Sequence, residues 1–312
     1  MTTKDQLLDI LREVGKYTHH TPVLTSRHIN SISGAELYFK CENFQKMGAF
    51  KMRGATNAVQ KINEEDRKKG VVTHSSGNFA QALSLAAKNL GIPAYIVMPT
   101  SAPEVKKEAV KSYGGKITLC PPTLTDREET ANNIISQTGA TFIHPSDNSD
   151  VINGNATAGI EFFKDYPELE LIIAPVGGGG LLAGTALAAK YFSQNAGIIG
   201  AEPFEADDAY RSLQTGMIEG NTTTNTIADG LKTVLGEKNF PIIKELVREI
   251  IRVEEAEIIP AMRLIWERMK IIVEPSSAVA LAGVLREKEK FKEKKVGIIL
   301  SGGNVDLQNL PF

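Results

Sequence analysis

Residues 42–55, ENFQKMGAFKMRGA, contain a lysine, Lys51, that follows a turn of small residues and precedes a helical pattern. A strand-like run, residues 36–41, comes before this lysine, and a helix-like run, residues 55–62, comes after it. A cation at a helix start is disfavoured by the positive end of the helix dipole, and partial burial disfavours it further. Both effects favour a neutral, nucleophilic amine, which bond formation with an aldehyde requires. Lys51 is therefore a candidate nucleophile, although an isolated lysine in this position is more often an ordinary surface residue.

A run of four glycines, Gly177–Gly180, lies between an apolar strand-like segment and a helical pattern. Glycines let successive backbone N–H groups point into one concave surface, and the helix start adds positive potential. This arrangement predicts a phosphate site; the alternative is a tight turn, for which four flexible residues are entropically costly. The segment also has a dinucleotide-binding pattern, Gly178-x-Gly180-x-x-Ala183 followed by Glu202, so a nicotinamide-dependent oxidoreductase is a second hypothesis.

Composition narrows the class of protein. The chain has 312 residues, 42% of them hydrophobic and 23% charged, with a formal net charge of −2. These values are typical of a globular protein with a large core, and the length predicts two domains. No basic block indicates binding to nucleic acid, and no apolar run has the length of a membrane span. Residues 1–17 form an amphipathic helical pattern without signal-peptide features, which predicts a cytoplasmic location. Cys41 and Cys120 are expected to be buried thiols.

Short β-rich runs alternate with amphipathic helical patterns, which predicts an α/β protein with a mostly parallel sheet. Ligands bind such sheets beyond the carboxyl ends of the strands. The predicted strands are residues 36–41, 70–73, 94–98, 116–120, 140–144, 171–176, 197–201 and 296–300, and the predicted helices are residues 79–90, 103–113, 126–137, 156–163, 181–192 and 256–269.

Two further loops that contain glycine follow predicted strands: residues 75–78, SSGN, and residues 301–304, SGGN. The N–H groups and hydroxyls of the first loop could hold a carboxylate, whereas an N-cap for the next helix is the simpler interpretation. Ser301 could donate a hydrogen bond to a ring nitrogen, or it could serve only the turn.

Together these motifs resemble the fold-type II pyridoxal-phosphate enzymes, within them the branch of serine racemase and the hydroxy-amino-acid dehydratases. The resemblance implies a tryptophan synthase β-like α/β fold: a large cofactor domain of residues 1–69 and 148–312, with a mostly parallel sheet, and a smaller mobile α/β domain inserted at residues 70–147. It also implies a homodimer that acts on a small amino acid. The likeness covers nearly the whole chain through TPVLTS (21–26), YFKCENFQKMGAFKMRGA (38–55), THSSGN (73–78), GIPAYIVMP (91–99), APVGGGGLLAG (174–184), IADG (227–230), WERMK (266–270), VEPSSAV (273–279) and LSGGNVD (300–306).

The resemblance also implies roles for the residues that would hold pyridoxal 5'-phosphate. Lys51 is expected to bind the cofactor aldehyde covalently, and Phe50 is expected to pack beside the ring. Asn78 is expected to contact the 3-hydroxyl oxygen of the ring, and Ser301 is expected to face the pyridine nitrogen. The phosphate is expected on the backbone N–H groups of Gly177, Gly178, Gly179, Gly180 and Leu181.

Substrate and cation positions follow from the same resemblance. The substrate carboxylate is expected on Ser75, Ser76 and Gly77. A second carboxylate of a substrate is expected near Arg127, for which an ordinary surface position on a helix is the alternative. A divalent cation, Mg2+ or else Ca2+ or Mn2+, is expected on Glu202, the Ala206 carbonyl and Asp208. Hard oxygen ligands of this kind suit such ions. The residues alone favour a solvated acidic loop.

The chain departs from the family pattern near the substrate. Phe79 stands where relatives usually have a histidine, and Ser146 stands where the racemases commonly have an asparagine after the HP pair. Residues 153–157, NGNAT, stand where AGQGT is common.

The implied function is a dehydratase, or ammonia-lyase, that converts serine, threonine or 3-hydroxyaspartate to 2-oxo acids and ammonia. Lys51 is expected to take the α-proton from one face of the substrate, and Ser76 is expected to lie on the other face. Many threonine dehydratases have alanine in place of Ser76, so this serine favours additional serine racemase activity. A β-replacement enzyme similar to cysteine synthase is an alternative, although such enzymes lack the acidic cation loop.

Overall fold

The computed structural model describes residues 2–312 and contains two sheets. The larger sheet has the strand order β1-β2-β10-β7-β8-β9, and the smaller sheet has the order β5-β4-β3-β6. In the described residues every strand pair is parallel except β1 with β2. The strands are β1 (Val23–Leu24), β2 (Glu36–Cys41), β3 (Val71–His74), β4 (Ala94–Pro99), β5 (Lys116–Cys120), β6 (Thr141–Phe142), β7 (Leu171–Pro175), β8 (Gly197–Pro203), β9 (Val247–Val253) and β10 (Lys295–Leu300).

Helices connect the strands and cover the sheets. They are α1 (Lys4–Gly15), α2 (Arg27–Ser33), α3 (Lys51–Gln60), α4 (Glu64–Arg67), α5 (Asn78–Asn89), α6 (Glu104–Ser112), α7 (Leu124–Thr138), α8 (Ser149–Asp165), α9 (Gly180–Phe192), α10 (Asp208–Thr215), α11 (Phe240–Leu246), α12 (Glu255–Met269), α13 (Pro275–Arg286) and α14 (Lys288–Phe291).

The larger sheet is buried on both faces, as its continuous apolar strands predict. In β10, Ile298 packs into the core beside α12 and α13, and the next residue, Ile299, packs into the core beside α8 and α9. Successive side chains of a strand point to opposite faces. A buried strand between two helix layers therefore needs apolar residues at consecutive positions.

The smaller sheet is covered by α5 on one face and α7 on the other. Val71 packs with the α5 residues, and Val72 packs with α7. The first core also includes residues of α3, so the helix that begins at Lys51 lies against the helices of the smaller sheet. All four strands of this sheet lie within residues 70–147, the predicted inserted domain; the exact boundaries and the mobility stay predictions.

Most predicted elements are present, and three differ from the prediction. The edge strand β9 was not predicted, because its sequence, VREIIRV, mixes charged side chains with apolar ones. Helix α8 begins at Ser149 rather than near residue 156, because Asn148 accepts hydrogen bonds from the N–H groups of Asp150 and Val151. Strand β6 has only two residues, although residues 140–144 were predicted.

Two further predictions concern Cys41, Cys120 and the membrane. Both thiols are free and buried, as expected. Across residues 2–312, no helix has both the length and the apolar character that crossing a membrane demands.

Candidate active site

Lys51 lies at the start of α3, as predicted, and its amine points toward the connection between the two sheets. Its Nζ donates a hydrogen bond to the carbonyl oxygen of Pro145 over 2.8 Å. The same nitrogen lies 5.1 Å from the ring centre of Phe50 and 5.7 Å from that of Phe79. The preceding residues are tied to the end of β10, because the Phe50 N–H donates to the carbonyl oxygen of Ser301.

The Lys51 amine loses its proton more readily than an ordinary lysine amine. Burial lowers its pKa to about 8, and the attraction of the Glu274 carboxylate opposes this effect. Loss of hydration disfavours the ammonium form more than one buried acid restores it. The free amine is therefore more available near neutral pH than in an ordinary lysine, which is the direction that the sequence predicts for a nucleophile.

The glycine run forms a narrow loop between β7 and α9. Gly179 has φ +76°, a conformation that favours glycine, and it precedes the first helical residue. A Cβ atom on Gly177 would lie 2.8 Å from the Leu231 Cα, and one on Gly178 would lie 2.4 Å from the Ser146 Oγ. The first N–H groups of a helix have no partner within it. Both the backbone and the space around it therefore require glycine, and the loop offers donors suited to a phosphate.

The SSGN loop does not cap the following helix with a side chain. Gly77 occupies the N-cap position of α5, so the interpretation of this loop as a serine or asparagine cap is wrong. Ser75 Oγ accepts a hydrogen bond from the Gly77 N–H over 3.4 Å. Ser76 is partly buried next to it. Neither serine hydroxyl therefore caps the N-terminus of α5.

Asn78 is fixed by Glu274, which the sequence did not indicate, and by Asn304 of the SGGN loop. Its Nδ2 donates to Glu274 Oε1 over 2.9 Å, and its Oδ1 accepts from Asn304 Nδ2 over 2.9 Å. Burial, together with the charge of Asp229, raises the pKa of Glu274 to about 7. An acidic residue between Val273 and Pro275 in an otherwise apolar stretch was the signal that could have identified Glu274.

Ser301 is buried at the end of β10. Its Oγ lies 3.2 Å from the Oγ of Ser277 at the start of α13. Ser277 also donates to the carbonyl oxygen of Gly302 and accepts from its N–H, each over 2.7 Å. The structure thus adds a second serine that fixes the loop of the predicted pyridine contact.

Arg127 lies on the first turn of α7. Its Nη2 donates to the carbonyl oxygen of Pro122 over 2.8 Å, and its buried Nε has no protein partner. Burial lowers the pKa of His74, Glu128 opposes the shift, and the charge of Arg127 adds to it. Arg127 is thus close enough to His74 for its charge to act on that imidazole, and His74 directly precedes Ser75 of the SSGN loop.

The predicted cation ligands Glu202 and Asp208 are buried near each other, with Ala206 in the turn between them. Glu202 Oε1 accepts from the Tyr210 N–H over 2.6 Å, whereas its Oε2 has no partner. Both oxygens of Asp208 accept hydrogen bonds, from Asn221 and from the Leu235 N–H.

Burial raises the pKa of Glu202 well above its usual range and that of Asp208 to about 6. An orphaned oxygen and two buried acids suit a hard cation. Within residues 2–312 no group of three or more His, Cys, Asp or Glu side chains has the arrangement of a metal site. The predicted cation ligands are therefore limited to two carboxylates and one carbonyl oxygen.

Comparison with known proteins identifies the family. The family model described as "Pyridoxal-phosphate dependent enzyme" matches residues 15–302. The chain is 52% identical to serine racemase of Dictyostelium discoideum, covering 99% of this chain and 97% of that protein. It is 45% identical to beta-hydroxyaspartate dehydratase of Paracoccus denitrificans, covering 99% and 98%. The crystal structure of a threonine deaminase from T.th. matches with a TM-score of 0.93 and 40% identity, covering 98% and 99%.

The chain belongs to the pyridoxal-phosphate-dependent enzyme family. Its fold is the fold-type II architecture that the sequence predicts, since it superposes on the Dictyostelium discoideum serine racemase structure with a TM-score of 0.94 over 98% of this chain and 99% of that one. The nicotinamide hypothesis has no support, because Glu202 is buried and bonded to the Tyr210 N–H.

Proposed function

We propose that this protein is a pyridoxal-phosphate-dependent ammonia-lyase that dehydrates β-hydroxy amino acids and also racemises serine. The observation that carries the proposal is the lowered pKa of Lys51, whose amine lies 5.7 Å from the ring centre of Phe79, the residue that follows the SSGN loop. Relatives named serine racemase, beta-hydroxyaspartate dehydratase and L-threo-3-hydroxyaspartate ammonia-lyase, at 45–52% identity, support it.

The site residues fit the cofactor. The loop at Gly177–Gly180 and the N–H of Leu181 have the donors and the space for its phosphate, and Lys51 has an amine able to attack its aldehyde. Asn78 and Ser301 would contact the ring oxygen and the ring nitrogen, with Phe50 beside the ring. When bound, the cofactor withdraws electrons from the substrate Cα. A hydroxyl such as that of Ser301 does not stabilise a protonated ring as a carboxylate would, which suits elimination or rapid reprotonation.

Two residues would move the α-proton. The amine of Lys51, once free, takes it from one face of the substrate as a general base. Ser76 would lie on the opposite face and would serve the other enantiomer. The N–H groups and hydroxyls of Ser75, Ser76 and Gly77 would hold the substrate carboxylate.

Arg127 and the cation site extend the proposal. The unpartnered Nε of Arg127 would bind the second carboxylate of 3-hydroxyaspartate. Glu202, the Ala206 carbonyl and Asp208 would bind Mg2+, Ca2+ or Mn2+. A homodimer, a cytoplasmic location and the movement of residues 70–147 as one domain are proposed on the family resemblance.

The substitution Ser76→Ala tests the assignment of the two faces. Elimination from the enantiomer whose α-proton points to Lys51 should survive, because Lys51 is unchanged. Racemisation needs an acid or base on each face, so it should collapse together with elimination from the other enantiomer. The measurement is α-proton exchange in deuterated water and pyruvate release for L- and D-serine, with Ser75→Ala as the matched control.

Two results would contradict the proposal. Equal losses for both enantiomers would mean that Ser76 only holds the carboxylate. Absence of α-proton exchange and racemisation in the unmutated protein would leave a dehydratase alone.

A further inference from the structure

The short segment of residues 144–147, between β6 and α8, contacts both halves of the site. Pro145 accepts the hydrogen bond from the Lys51 amine, and the Ser146 hydroxyl occupies the space where a Cβ of Gly178 would lie. The segment is folded around His144, whose Nδ1 accepts from the N–H groups of Ser146 and Asp147 over 3.3 and 2.8 Å. This segment therefore connects Lys51 to the glycine loop.

Asn239, at the end of the loop before α11, anchors this segment and the glycine loop together. It is fully buried, and its Nδ2 donates to the Gly178 carbonyl oxygen over 2.9 Å and lies 3.4 Å from the Ser146 carbonyl oxygen. Its Oδ1 accepts from the Gly236 N–H over 3.1 Å. One buried amide thus joins three separate stretches of chain.

Asp147 fixes Asn239 in turn. Its Oδ1 accepts from the N–H groups of Lys238 and Asn239 over 2.8 and 3.2 Å, and lies 3.4 Å from the Asn239 Nδ2. A Cβ on Gly236 would lie 2.1 Å from the Asp147 Cγ, so the chain passes directly over this carboxylate. Asp147 and Asn239 form a hydrogen-bonded pair, called here the Asp147–Asn239 pair.

The hydrogen bond from Asn239 to the Gly178 carbonyl oxygen affects the direction of the backbone N–H groups in the glycine loop. The peptide between Gly178 and Gly179 is planar and trans, so its C=O and N–H point in opposite directions. Because Asn239 holds the Gly178 oxygen, the Gly179 N–H is directed away from Asn239. Four consecutive glycines have little conformational preference of their own, and such a loop needs an external anchor to keep its N–H groups aligned.

We propose that Asp147 and Asn239 are positioning residues that keep the glycine loop in the shape that binds phosphate and join it to the segment that contacts Lys51. This inference rests on the proposed phosphate role of Gly177–Gly180. It assigns to the pair a contribution to cofactor affinity that acts through the phosphate.

The test compares two ligands of the apoprotein: pyridoxal 5'-phosphate and 5-deoxypyridoxal, which has the same ring and aldehyde but no phosphate. The dissociation constant of 5-deoxypyridoxal divided by that of pyridoxal 5'-phosphate, both from absorbance titrations, measures the phosphate contribution. Asn239→Ala and Asp147→Ala should each lower this ratio about tenfold, as expected for losing one or two hydrogen bonds that align the donors. A general loss of stability would weaken both ligands equally and leave the ratio unchanged.

Two matched variants sharpen the test. Asp147→Asn keeps an oxygen that can accept from Lys238 and Asn239, so the ratio should stay near that of the unmutated protein. Asn195→Ala removes an asparagine side chain from an exposed position beyond the end of α9, and it should leave the ratio of the two dissociation constants unchanged. Because Asp147 is only partly buried, Asp147→Ala keeps the test valid if Asn239→Ala does not fold.

The outcomes separate this inference from the proposed function. If the unmutated protein binds both ligands with equal affinity, and inorganic phosphate does not raise the melting temperature of the apoprotein, the glycine loop is not a phosphate site. If the unmutated protein prefers the phosphate ester but both alanine variants keep the full ratio, the phosphate site stands and the role of the Asp147–Asn239 pair is wrong.

Discussion

At the scale of single residues, the charge state of Lys51 follows from the partners that surround it. Its amine donates to a neutral carbonyl, that of Pro145, and the nearby acid, Glu274, has its pKa raised to about 7 by burial. A fully ionised carboxylate in direct contact would raise the pKa of the lysine and reduce its nucleophilicity. The site instead keeps the amine reactive by offering it a weak partner.

Arg127 is the residue that should distinguish a dicarboxylic substrate. Arg127→Ala is expected to reduce kcat/KM for 3-hydroxyaspartate by about a hundredfold, since a charge-assisted hydrogen bond contributes up to about 3 kcal/mol. The value for threonine should change less than threefold. The measurement is oxo-acid release from both substrates, with the neighbouring exposed Glu128→Ala as control. Equal losses for the two substrates would mean that Arg127 only supports the start of α7 through Pro122.

At the scale of elements, the position of Lys51 depends on close packing between α3 and α8. Gly54 and Gly154 face each other there: a Cβ on Gly154 would lie 2.6 Å from the Arg53 carbonyl oxygen and 2.8 Å from the Gly54 Cα. The side chain of Arg53, two residues after Lys51, is buried with Glu42 and Glu161 at 2.7–2.9 Å. Helix α3 is thus held by backbone contact and by buried charges.

Gly154→Ala should therefore destabilise the protein by about 2 kcal/mol, because the clashing atoms belong to the backbone and cannot turn aside. The free energy of unfolding from urea titration measures this effect. Gly15→Ala is the control: Gly15 is an exposed helical residue with nothing near its added Cβ, and alanine there should stabilise by up to about 1 kcal/mol. Unchanged stability of Gly154→Ala would show that α3 and α8 can separate.

The segment from β8 to α10 carries the proposed cation site, which can be tested by removing the ion. Chelation of the purified protein should lower its melting temperature, because an ion that binds only the folded state at a hundred times its Kd stabilises it by about 2.7 kcal/mol. Asp208→Asn should lower the melting temperature by a similar amount and make it insensitive to chelator. A chelator effect of the same size in both proteins would place the ion elsewhere.

The elements also show what the sequence could and could not predict. The strands and loops around Lys51, Gly177–Gly180 and Ser301 were predictable, because apolar runs and glycine have local meaning. Glu274, Ser277 and Asn239 were not identified, because their roles come from partners far away in sequence, such as Asn78, Gly302 and Gly178. The N-cap interpretation of the SSGN loop failed because glycine, not serine or asparagine, occupies the cap.

At the scale of the whole molecule, the site lies where the two sheets meet. In sequence, Lys51 follows β2 of the larger sheet. It begins α3, a helix that packs with the smaller sheet. Lys106 of α6 forms an ion pair with Asp229, which connects the helices of the smaller sheet to the loop between β8 and β9 of the larger sheet. The proposed site therefore draws on residues that pack with both sheets, which is consistent with a site that closes over its substrate.

The central claim is that Lys51 holds pyridoxal phosphate, and mapping the borohydride-reduced protein tests it most directly. The purified protein is reduced with borohydride and digested, and its peptides are analysed by mass spectrometry. We predict a single phosphopyridoxyl adduct on Lys51, and a folded Lys51→Ala variant that carries no adduct and releases no oxo acid. An adduct on another lysine, or normal turnover by Lys51→Ala, would contradict the account.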